Sequence, residues 1–278
     1  MRHRSFAALA LAAVASLGLA ACGGSGSTSF DASGSSSDVV TLTVGATPSP
    51  HAKILNYVND NLAADAGIKI KVVEYTDYVQ PNTALNDGEL DANFYQTVPY
   101  LENAEKQAGY DFEAGAGIHL EPLGVFSQKH KSLDELPNGG TIGIISDTSN
   151  QERALRLLAT QGLVSIPEGE GDVNVNTVTK LKDFSFNEVE GPQLVRSLED
   201  FDFAVINGNF AQEGGLSLSG DALVVESPVD NPAVNVLVWK AGSDKAAAIA
   251  KLEELLHSDQ VKQYIESTWS DGSVIPAF

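Results

Sequence analysis

The chain alternates between short apolar runs and longer stretches in which apolar residues recur every three or four positions. Runs such as 141–145 (TIGII) and 203–206 (FAVI) are typical of buried strands, whereas Ile54, Leu55 and Val58 follow a helical period. The pattern predicts strands at 40–45, 69–75, 90–94, 118–127, 141–145, 203–206, 222–226 and 234–239. It predicts helices at 51–65, 82–86, 98–108, 150–161, 246–256 and 259–267.

Strands that alternate with helices favour an α/β architecture with largely parallel sheets. The order of the elements predicts two lobes, each a mostly parallel sheet flanked by helices. Lobe I is expected to comprise 39–124 and 236–278, and lobe II 125–235, so that the chain crosses between them twice. Ligands usually bind between domains and at the carboxyl ends of parallel strands, so a ligand cleft between the lobes is expected.

The N-terminus has the pattern of a secretory signal peptide over 1–22. Arg2 and Arg4 precede an apolar stretch at 6–20, which is shorter than the ~20 apolar residues that a membrane span needs. The stretch ends at Cys22, the only cysteine, in a pattern that resembles a bacterial lipobox. We therefore expect Cys22 to be lipidated and to anchor the chain on the extracytoplasmic face of the cell membrane. A plain signal peptide that contains a cysteine is the alternative.

Residues 23–38 consist almost entirely of Gly, Ser, Thr and Asp. Such a composition buries little apolar surface and predicts a flexible tether. About 240 residues follow the tether, which is enough for one large domain or two modest ones.

Acidic residues outnumber basic ones, 37 to 17, and the formal net charge is −20. The chain has no block of Lys and Arg that would follow a phosphate backbone, so nucleic acid is not an expected partner. The acidity is spread along the chain, as expected for solubility at a cell surface. An anionic group on a ligand would need a local cation to receive it.

Several segments resemble the NlpA/MetQ family of lipoproteins, the methionine-binding subunits of ABC importers. They are VGATPSPHAKIL (44–55), DYVQPNTALNDGELDAN (77–93), SLDELPNGGTIGI (132–144), SNQERALRLL (149–158) and AVINGNFA (204–211). The resemblance runs in order from about residue 40 to the last helix. It implies a type II periplasmic-binding-protein fold and capture of a free amino acid, usually L-methionine, with D-methionine as a variant. It also implies delivery to a membrane permease that is coupled to a cytoplasmic ATPase.

An amino acid carboxylate is best held by an arginine, whose charge is permanent and whose donors are planar. Arg153 is the best placed, because a run of helix N-cap formers at 146–150 precedes it and predicts a position in the first helical turn. Asn150 in that run is a further candidate for the site. A surface Arg153 paired with Glu152 is the alternative interpretation, and the family resemblance favours the ligand.

The ligand's ammonium needs oxygen acceptors. Asn207 and Asn209 follow a predicted buried strand, and Asn235 opens another. Asn209 is equally typical of a turn. The family resemblance supports Asn207 and Asn235.

The ligand's side chain needs an apolar or aromatic pocket, for which Tyr78, Phe94 and Tyr95 are candidates. Sulfur contacts with aromatic edges contribute ~0.3–1.5 kcal/mol. Successive residues of a strand point to opposite faces, so only one of Phe94 and Tyr95 is expected to face the ligand. His119 is a further candidate for the cleft.

The chain departs from the family pattern at two positions. The family usually carries Gln-His after the aromatic, and here Gln96 is followed by Thr97. The family also often has Tyr where this chain has Ala233. Both departures bear on the shape of the side-chain pocket.

Enzymatic functions are not favoured. The histidines do not have the spacing of a HExxH site, no Gly-x-Ser-x-Gly elbow occurs, and a lipidated Cys22 leaves no free thiol. We expect a monomeric binding protein without a cofactor or resident metal. The alternatives are a carrier of another amino acid, a short peptide or a metal ion, the last with His51 and His119, or an adhesin-type surface lipoprotein.

Overall fold

The computed structural model describes residues 39–169 and 171–278. The predicted signal peptide 1–22, with the lipidation site Cys22, and the tether 23–38 lie outside these residues. Within the described part of the chain, no helix is long and apolar enough to cross a membrane.

The described residues alternate between strands and helices. The strands are β1 Val40–Ala46, β2 Ile68–Glu74, β3 Ala92–Thr97, β4 Phe112–Leu120, β5 Gly124–Phe126, β6 Gly140–Ile145, β7 Val164–Ser165, β8 Thr179–Lys180, β9 Phe184–Val189, β10 Phe203–Ile206, β11 Ala222–Val225, β12 Val234–Lys240 and β13 Ile275–Pro276. The helices are α1 Lys53–Asn61, α2 Gln80–Asn86, α3 Val98–Ala108, α4 Thr148–Thr160, α5 Gly191–Arg196, α6 Gly208–Glu213, α7 Leu218–Asp221, α8 Ala246–Leu256 and α9 Asp259–Thr268. Short helical turns occupy Pro48–Ala52, Leu133–Glu135 and Leu198–Asp200.

The strands form two main sheets, which define the two lobes of an α/β fold. The sheet of lobe I has the order β13-β4-β12-β3-β1-β2, and that of lobe II has the order β11-β5-β10-β6-β9. The chain passes between the sheets at 121–123 and at 226–233. It is back in the first sheet by Val234, while the exact lobe boundaries stay a prediction.

Both sheets are mixed, so the expectation of mostly parallel sheets is wrong. Parallel pairing joins β1 to β2 and β3, and β6 to β9 and β10. The strands that flank the two crossovers, β4 with β12 and β5 with its neighbours, pair antiparallel. Strands β5 and β12, the first strands after the two crossovers, each lie between two strands that run in the opposite direction.

The differences from the predicted elements concern short or polar segments. Strand β9 and helices α5 and α6 were not predicted, because each has only six residues and a weak apolar period. Strand β4 begins at Phe112 rather than at 118, since its FEAGAG segment contains residues that are depleted in strands.

Aliphatic and aromatic side chains fill the two lobes, and a smaller set of buried side chains is polar. Leu42, Val44 and Ile54 belong to the core around the first sheet, and Ile142 and Leu155 to that of the second. The buried polar residues include Thr47, Ser49, His51, Asn82, Asn93, Gln96, His119, Glu121, Asn150, Gln151, Asn207, Asn209 and Asn235. Burying a polar group is costly unless it is hydrogen-bonded, so this concentration marks a functional region.

Candidate functional site

A cavity with an empty volume of about 350 Å³ lies where the two lobes meet. Lobe I and lobe II both contribute to its walls, and the first crossover contributes Glu121. The lining residues are Tyr78, Tyr95, Gln96, Thr97, Tyr100, Glu121, Asn150, Arg153, Asn207, Gly208, Asn209 and Asn235.

The lobes contact each other across this cavity. The Tyr78 hydroxyl of lobe I donates to Asn209 Oδ1 of lobe II at 2.5 Å, and the Tyr78 ring lies 4.7 Å from that of Phe210. Gln212 Oε1 of lobe II accepts from Ser49 Oγ and from Trp269 Nε1, both at 2.9 Å. The cleft is therefore closed in this structure.

Arg153 lies in the second turn of α4, not in the first as expected. The helix begins at Thr148, two residues before the predicted start, because Asp147 is its N-cap. The Asp147 carboxylate accepts from the backbone N–H of Asn150. One of the free N–H groups at the N-terminus of α4 is thus already hydrogen-bonded. An anion near Arg153 would therefore be attracted mainly by the guanidinium charge.

The Arg153 guanidinium is held by the two crossover segments. Nε donates to Glu226 Oε1 at 2.9 Å, and Nη2 donates to Glu226 Oε2 at 2.6 Å and to the Glu121 carbonyl at 2.7 Å. Glu152 pairs with Arg156 instead, so the surface interpretation of Arg153 is wrong. Among the described residues, Nη1 makes no hydrogen bond, and this end of the guanidinium remains available.

Three polar side chains form a chain that orients Asn207. The Asn150 amide nitrogen donates to the Asp147 carboxylate at 3.1 Å, and its Oδ1 accepts from Asn207 Nδ2 at 2.9 Å. The amide oxygen of Asn207 is thereby left as an acceptor toward the cavity. Asn150 lines the cavity, but its amide is engaged at both ends. Burial raises the pKa of Asp147 to about 6, against the hydrogen bonds from Asn150.

The geometry changes the expected contribution of Asn235. Its Oδ1 accepts from His51 Nε2 at 3.0 Å. The Glu121 carboxylate lies 3.3 Å from the same His51 nitrogen, and an ionised carboxylate favours a proton on that nitrogen. Asn235 therefore offers its amide nitrogen, a donor, rather than the oxygen acceptor that we expected for an ammonium.

Glu121 was not singled out from the sequence, yet it is buried and lines the cavity. His119 Nε2 donates to its Oε1 at 2.8 Å. Desolvation raises the pKa of Glu121 to about 7, although His51 and Arg153 oppose the shift. An acidic residue within the apolar segment IHLEPLGVF was the signal available in the sequence.

Glu121 packs closely against the start of helix α6. A Cβ atom built on Gly208 would lie 2.8 Å from the Glu121 Cβ and 3.2 Å from its Oε2. A side chain at position 208 would therefore displace Glu121.

Burial lowers the pKa of His51 to about 4 and that of His119 to about 3, so both rings are uncharged at neutral pH.

Three tyrosines form the aromatic part of the cavity wall. The hydroxyls of Tyr95 and Tyr100 both donate to the Tyr78 carbonyl, at 2.9 and 2.8 Å. The rings lie 5.7 to 6.0 Å apart between centroids. Because the hydroxyls of Tyr95 and Tyr100 are engaged, these residues present mainly ring surface to the cavity. Tyr100 was missed from the sequence, since it lies in a helix rather than at a strand end.

Two predicted site residues, Phe94 and His119, do not line the cavity. Phe94 points to the opposite face of β3 from Tyr95, into the core of lobe I, 4.8 Å from the His51 ring. His119 is fully buried behind Glu121, against Phe94. The structure brings the other six predicted residues together: Tyr78, Tyr95, Asn150, Arg153, Asn207 and Asn235.

The family-variant positions differ in their placement. Thr97 lines the cavity and caps α3, where its hydroxyl oxygen accepts from the Tyr100 N–H at 3.4 Å. Gln96 uses its amide in bonds to Asn82 and Asn93. Ala233 is buried but is not among the lining residues.

Comparison with known proteins agrees with this fold. Residues 42–278 match the model of the NlpA lipoprotein family. Methionine-binding lipoprotein MetQ of Bacillus subtilis is 36% identical over 246 residues, which cover 84% of this chain and 87% of that protein.

Two solved structures show how similar the folds are. A lipoprotein from Actinomyces odontolyticus is 86% identical, with a TM-score of 0.85, over 87% of this chain and all of that one. A nutrient binding protein from Burkholderia cenocepacia, solved with bound methionine, is 35% identical, with a TM-score of 0.80, over 85% of this chain and all of that one. The present chain therefore belongs to the NlpA lipoprotein family.

Proposed function

We propose that the protein is a binding protein that captures a free amino acid in the cavity between its lobes. The observation that carries this proposal is the combination of groups around one cavity. Arg153 offers a cation for a carboxylate, Asn207 offers an oxygen for an ammonium, and Tyr78, Tyr95 and Tyr100 offer ring surface. These are the three kinds of group that a zwitterion with an apolar side chain needs.

Methionine is the amino acid that the comparisons favour. A relative is named for binding it, and a structure with the same fold contains it. The tyrosine wall suits a thioether, because sulfur contacts with aromatic edges contribute ~0.3–1.5 kcal/mol.

Binding is coupled to closure of the lobes. In the proposed mechanism the open cleft admits the amino acid, and Arg153 binds its carboxylate through Nη1. Closure about the crossovers at 121–123 and 226–233 brings the tyrosines of lobe I over the side chain. The contacts of Tyr78 with Asn209 and Phe210 then stabilise the closed state. No bond of the ligand is made or broken.

The proposed partners are a membrane permease and its cytoplasmic ATPase, which together form an ABC importer. We propose that the monomeric protein stays beside them through a lipid on Cys22. The predicted tether of sixteen residues, 23–38, would keep the local concentration of the receptor high, because a flexible coil of that length has an r.m.s. span of ~20–24 Å. Cys22→Ala is expected to leave ligand affinity unchanged and to reduce uptake of the amino acid by cells. Unchanged uptake would contradict the anchoring role.

Calorimetry on residues 39–278 with the individual amino acids, including both enantiomers of methionine, tests the proposed function. We expect saturable binding with one ligand per chain and the highest affinity for methionine. Short peptides and divalent metal ions serve as the competing ligand classes. A response to a metal ion with none to any amino acid would replace the proposal by a metal carrier, and no response to any ligand would favour an adhesin-type lipoprotein.

A further inference from the structure

Of the two charged side chains that line the cavity, one has an oppositely charged partner and the other does not. Among the lining residues of the described chain, Arg153 is the only base and Glu121 the only acid. Arg153 already has a carboxylate partner in Glu226, whereas Glu121 has no Lys or Arg side chain as an ion-pair partner. A buried carboxylate without a cation is costly, and an added cation would relieve that cost.

Glu121 lies in the crossover between the lobes, where closure can bring it against a ligand from either side. Its Oε1 accepts from His119 Nε2 and lies 3.3 Å from His51 Nε2. Its Oε2 lies beside Gly208, next in sequence to Asn207. The acceptor oxygen of Asn207 and the carboxylate of Glu121 thus border the same part of the cavity.

The other amide oxygens near this part of the cavity already accept hydrogen bonds and are not free to accept one from an ammonium group. Asn235 turns its oxygen to His51, and Asn209 uses its oxygen to accept from Tyr78. Asn150 Oδ1 is occupied by Asn207. Of the amide oxygens considered for the ammonium, only that of Asn207 has no donor among the described residues.

We propose that the carboxylate of Glu121 is the anionic receptor of the ligand's ammonium group, with the amide oxygen of Asn207 as its second acceptor. This inference rests on the proposed function, because it assigns one end of the bound amino acid. It replaces Asn235 as an ammonium acceptor and leaves that residue's amide nitrogen to donate, together with Arg153, toward the ligand carboxylate.

The assignment makes the protein selective for ligands with a protonated amine. An N-acylated amino acid has no cation at this position, and a 2-hydroxy acid has only a neutral hydroxyl group there. Both would leave Glu121 buried without a charged partner, and truncating one partner of a buried, hydrogen-bonded charge pair is strongly unfavourable. Selection therefore acts on the amino group as well as on the side chain.

Several titratable groups besides the ligand face Glu121. They are His51, His119 and Tyr78 in lobe I, Arg153 and Glu213 in lobe II, and Glu226 in the second crossover. Burial raises the pKa of Glu213, like that of Glu121, to about 7. The two histidines remain uncharged above pH 5, since burial lowers the pKa of His51 to about 4 and that of His119 to about 3. Glu213 is therefore the residue to control for.

An ammonium beside Glu121 would lower the pKa of its carboxyl group, because a cation favours the ionised form. Molecules in which Glu121 is protonated must then release that proton when the ligand binds. Affinity for the amino acid is therefore expected to fall as the pH decreases below the pKa of Glu121 in the free protein, by up to about tenfold per pH unit.

The test compares Glu121→Gln with Glu213→Gln on two ligands, L-methionine and its 2-hydroxy analogue, in which a hydroxyl replaces the amine. We expect Glu121→Gln to weaken methionine binding by at least about 30-fold and to change binding of the hydroxy analogue by less than about 3-fold. Glu213→Gln is expected to change both by less than about 3-fold. Calorimetry in two buffers of different ionisation enthalpy then measures proton release by the wild type.

The outcomes separate this inference from the proposed function. If the wild type binds no amino acid, the proposed function fails. If the wild type binds methionine, but Glu121→Gln weakens the binding of methionine and of its hydroxy analogue equally, Glu121 has a structural role and the inference is wrong. Should Glu121→Gln not fold, Glu121→Asp decides, because it keeps the charge but withdraws it from the ammonium group. A loss of affinity confined to methionine sustains the inference, and equal losses for both ligands overturn it.

Discussion

The two walls of the cavity differ in the chemistry that they present. The lobe II wall carries Asn150, Arg153 and Asn207, which are fixed by hydrogen bonds to carboxylates or to one another. The lobe I wall carries tyrosine rings whose hydroxyls are largely directed away from the ligand. In the proposed function, Arg153 and Asn207 of lobe II bind the groups that all amino acids share, with Asn235 and Glu121 beside them, and the tyrosines of lobe I recognise the side chain. Neither wall is sufficient alone, so selective binding requires closure.

The walls also differ in how their groups are held. On lobe II, charged and amide groups form chains that begin at Glu226 and Asp147. On lobe I, one backbone carbonyl, that of Tyr78, accepts from both Tyr95 and Tyr100. A change among the polar residues of lobe II should therefore weaken binding of all amino acids alike, and a change among the tyrosines of lobe I should alter selectivity. The following four predictions test this division.

The largest effect is expected from Arg153→Ala, which removes the cation of the lobe II wall. It should weaken binding of every amino acid by at least about 100-fold, because a buried charge loses its partner. Calorimetry with methionine and alanine measures this. Arg156→Ala is the matched control, since Arg156 lies one turn away and pairs with Glu152 on the surface. A loss confined to methionine would contradict the division between the walls.

A smaller and selective effect is expected from Tyr100→Leu on the lobe I wall. The loss of one ring should weaken methionine binding by about tenfold, because contacts with an aromatic ring are worth about 1 kcal/mol or slightly more. Binding of alanine, which does not reach the rings, should change little. Tyr110→Leu serves as the control, because Tyr110 stacks on Phe112 and is not among the residues that line the cavity. Equal losses for both ligands would show that lobe I also holds the common groups.

Asp147→Ala tests the chain that orients Asn207. The variant loses the N-cap of α4, which should lower the free energy of unfolding by about 1 kcal/mol. It should also weaken the binding of all amino acids by about 5-fold, because Asn150 loses its hydrogen bond to Asp147 and no longer orients Asn207. Ser258→Ala removes the N-cap of α9, far from the cavity, and should reduce stability without reducing affinity. Thermal unfolding and calorimetry of both variants separate the two effects.

The smallest effect is expected from Tyr78→Phe, which removes one hydrogen bond between the walls. Its bond to Asn209 contributes to closure, and a single hydrogen bond is worth about 1 kcal/mol or less here, or roughly 3-fold in affinity. Tyr57→Phe is the control, because Tyr57 stacks on Tyr264 within lobe I. If Tyr78→Phe and Tyr57→Phe have equal affinity, closure does not depend on this contact.

The sequence was informative wherever a segment carries its own period. Helices α3 and α8 have the predicted bounds because their apolar residues recur at a helical period, and strand β10 does because it is a continuous apolar run buried on both faces. It was less informative for β4 and β9, whose positions depend on neighbouring strands rather than on propensity. The mixed pairing of both sheets likewise depends on where the crossovers enter.

The sequence by itself determined the alternation of strands and helices, the family segments, and most of the residues that come together at the cavity. Only the tertiary structure decided what those residues can offer to a ligand. Arg153 meets Glu226 from 73 positions away, and Asn235 turns its oxygen to His51, 184 positions away. Glu121 becomes a buried acid only when both lobes enclose it. The physical reason is that burial and hydrogen-bond partners, which set charge and donor direction, come from segments that are distant along the chain.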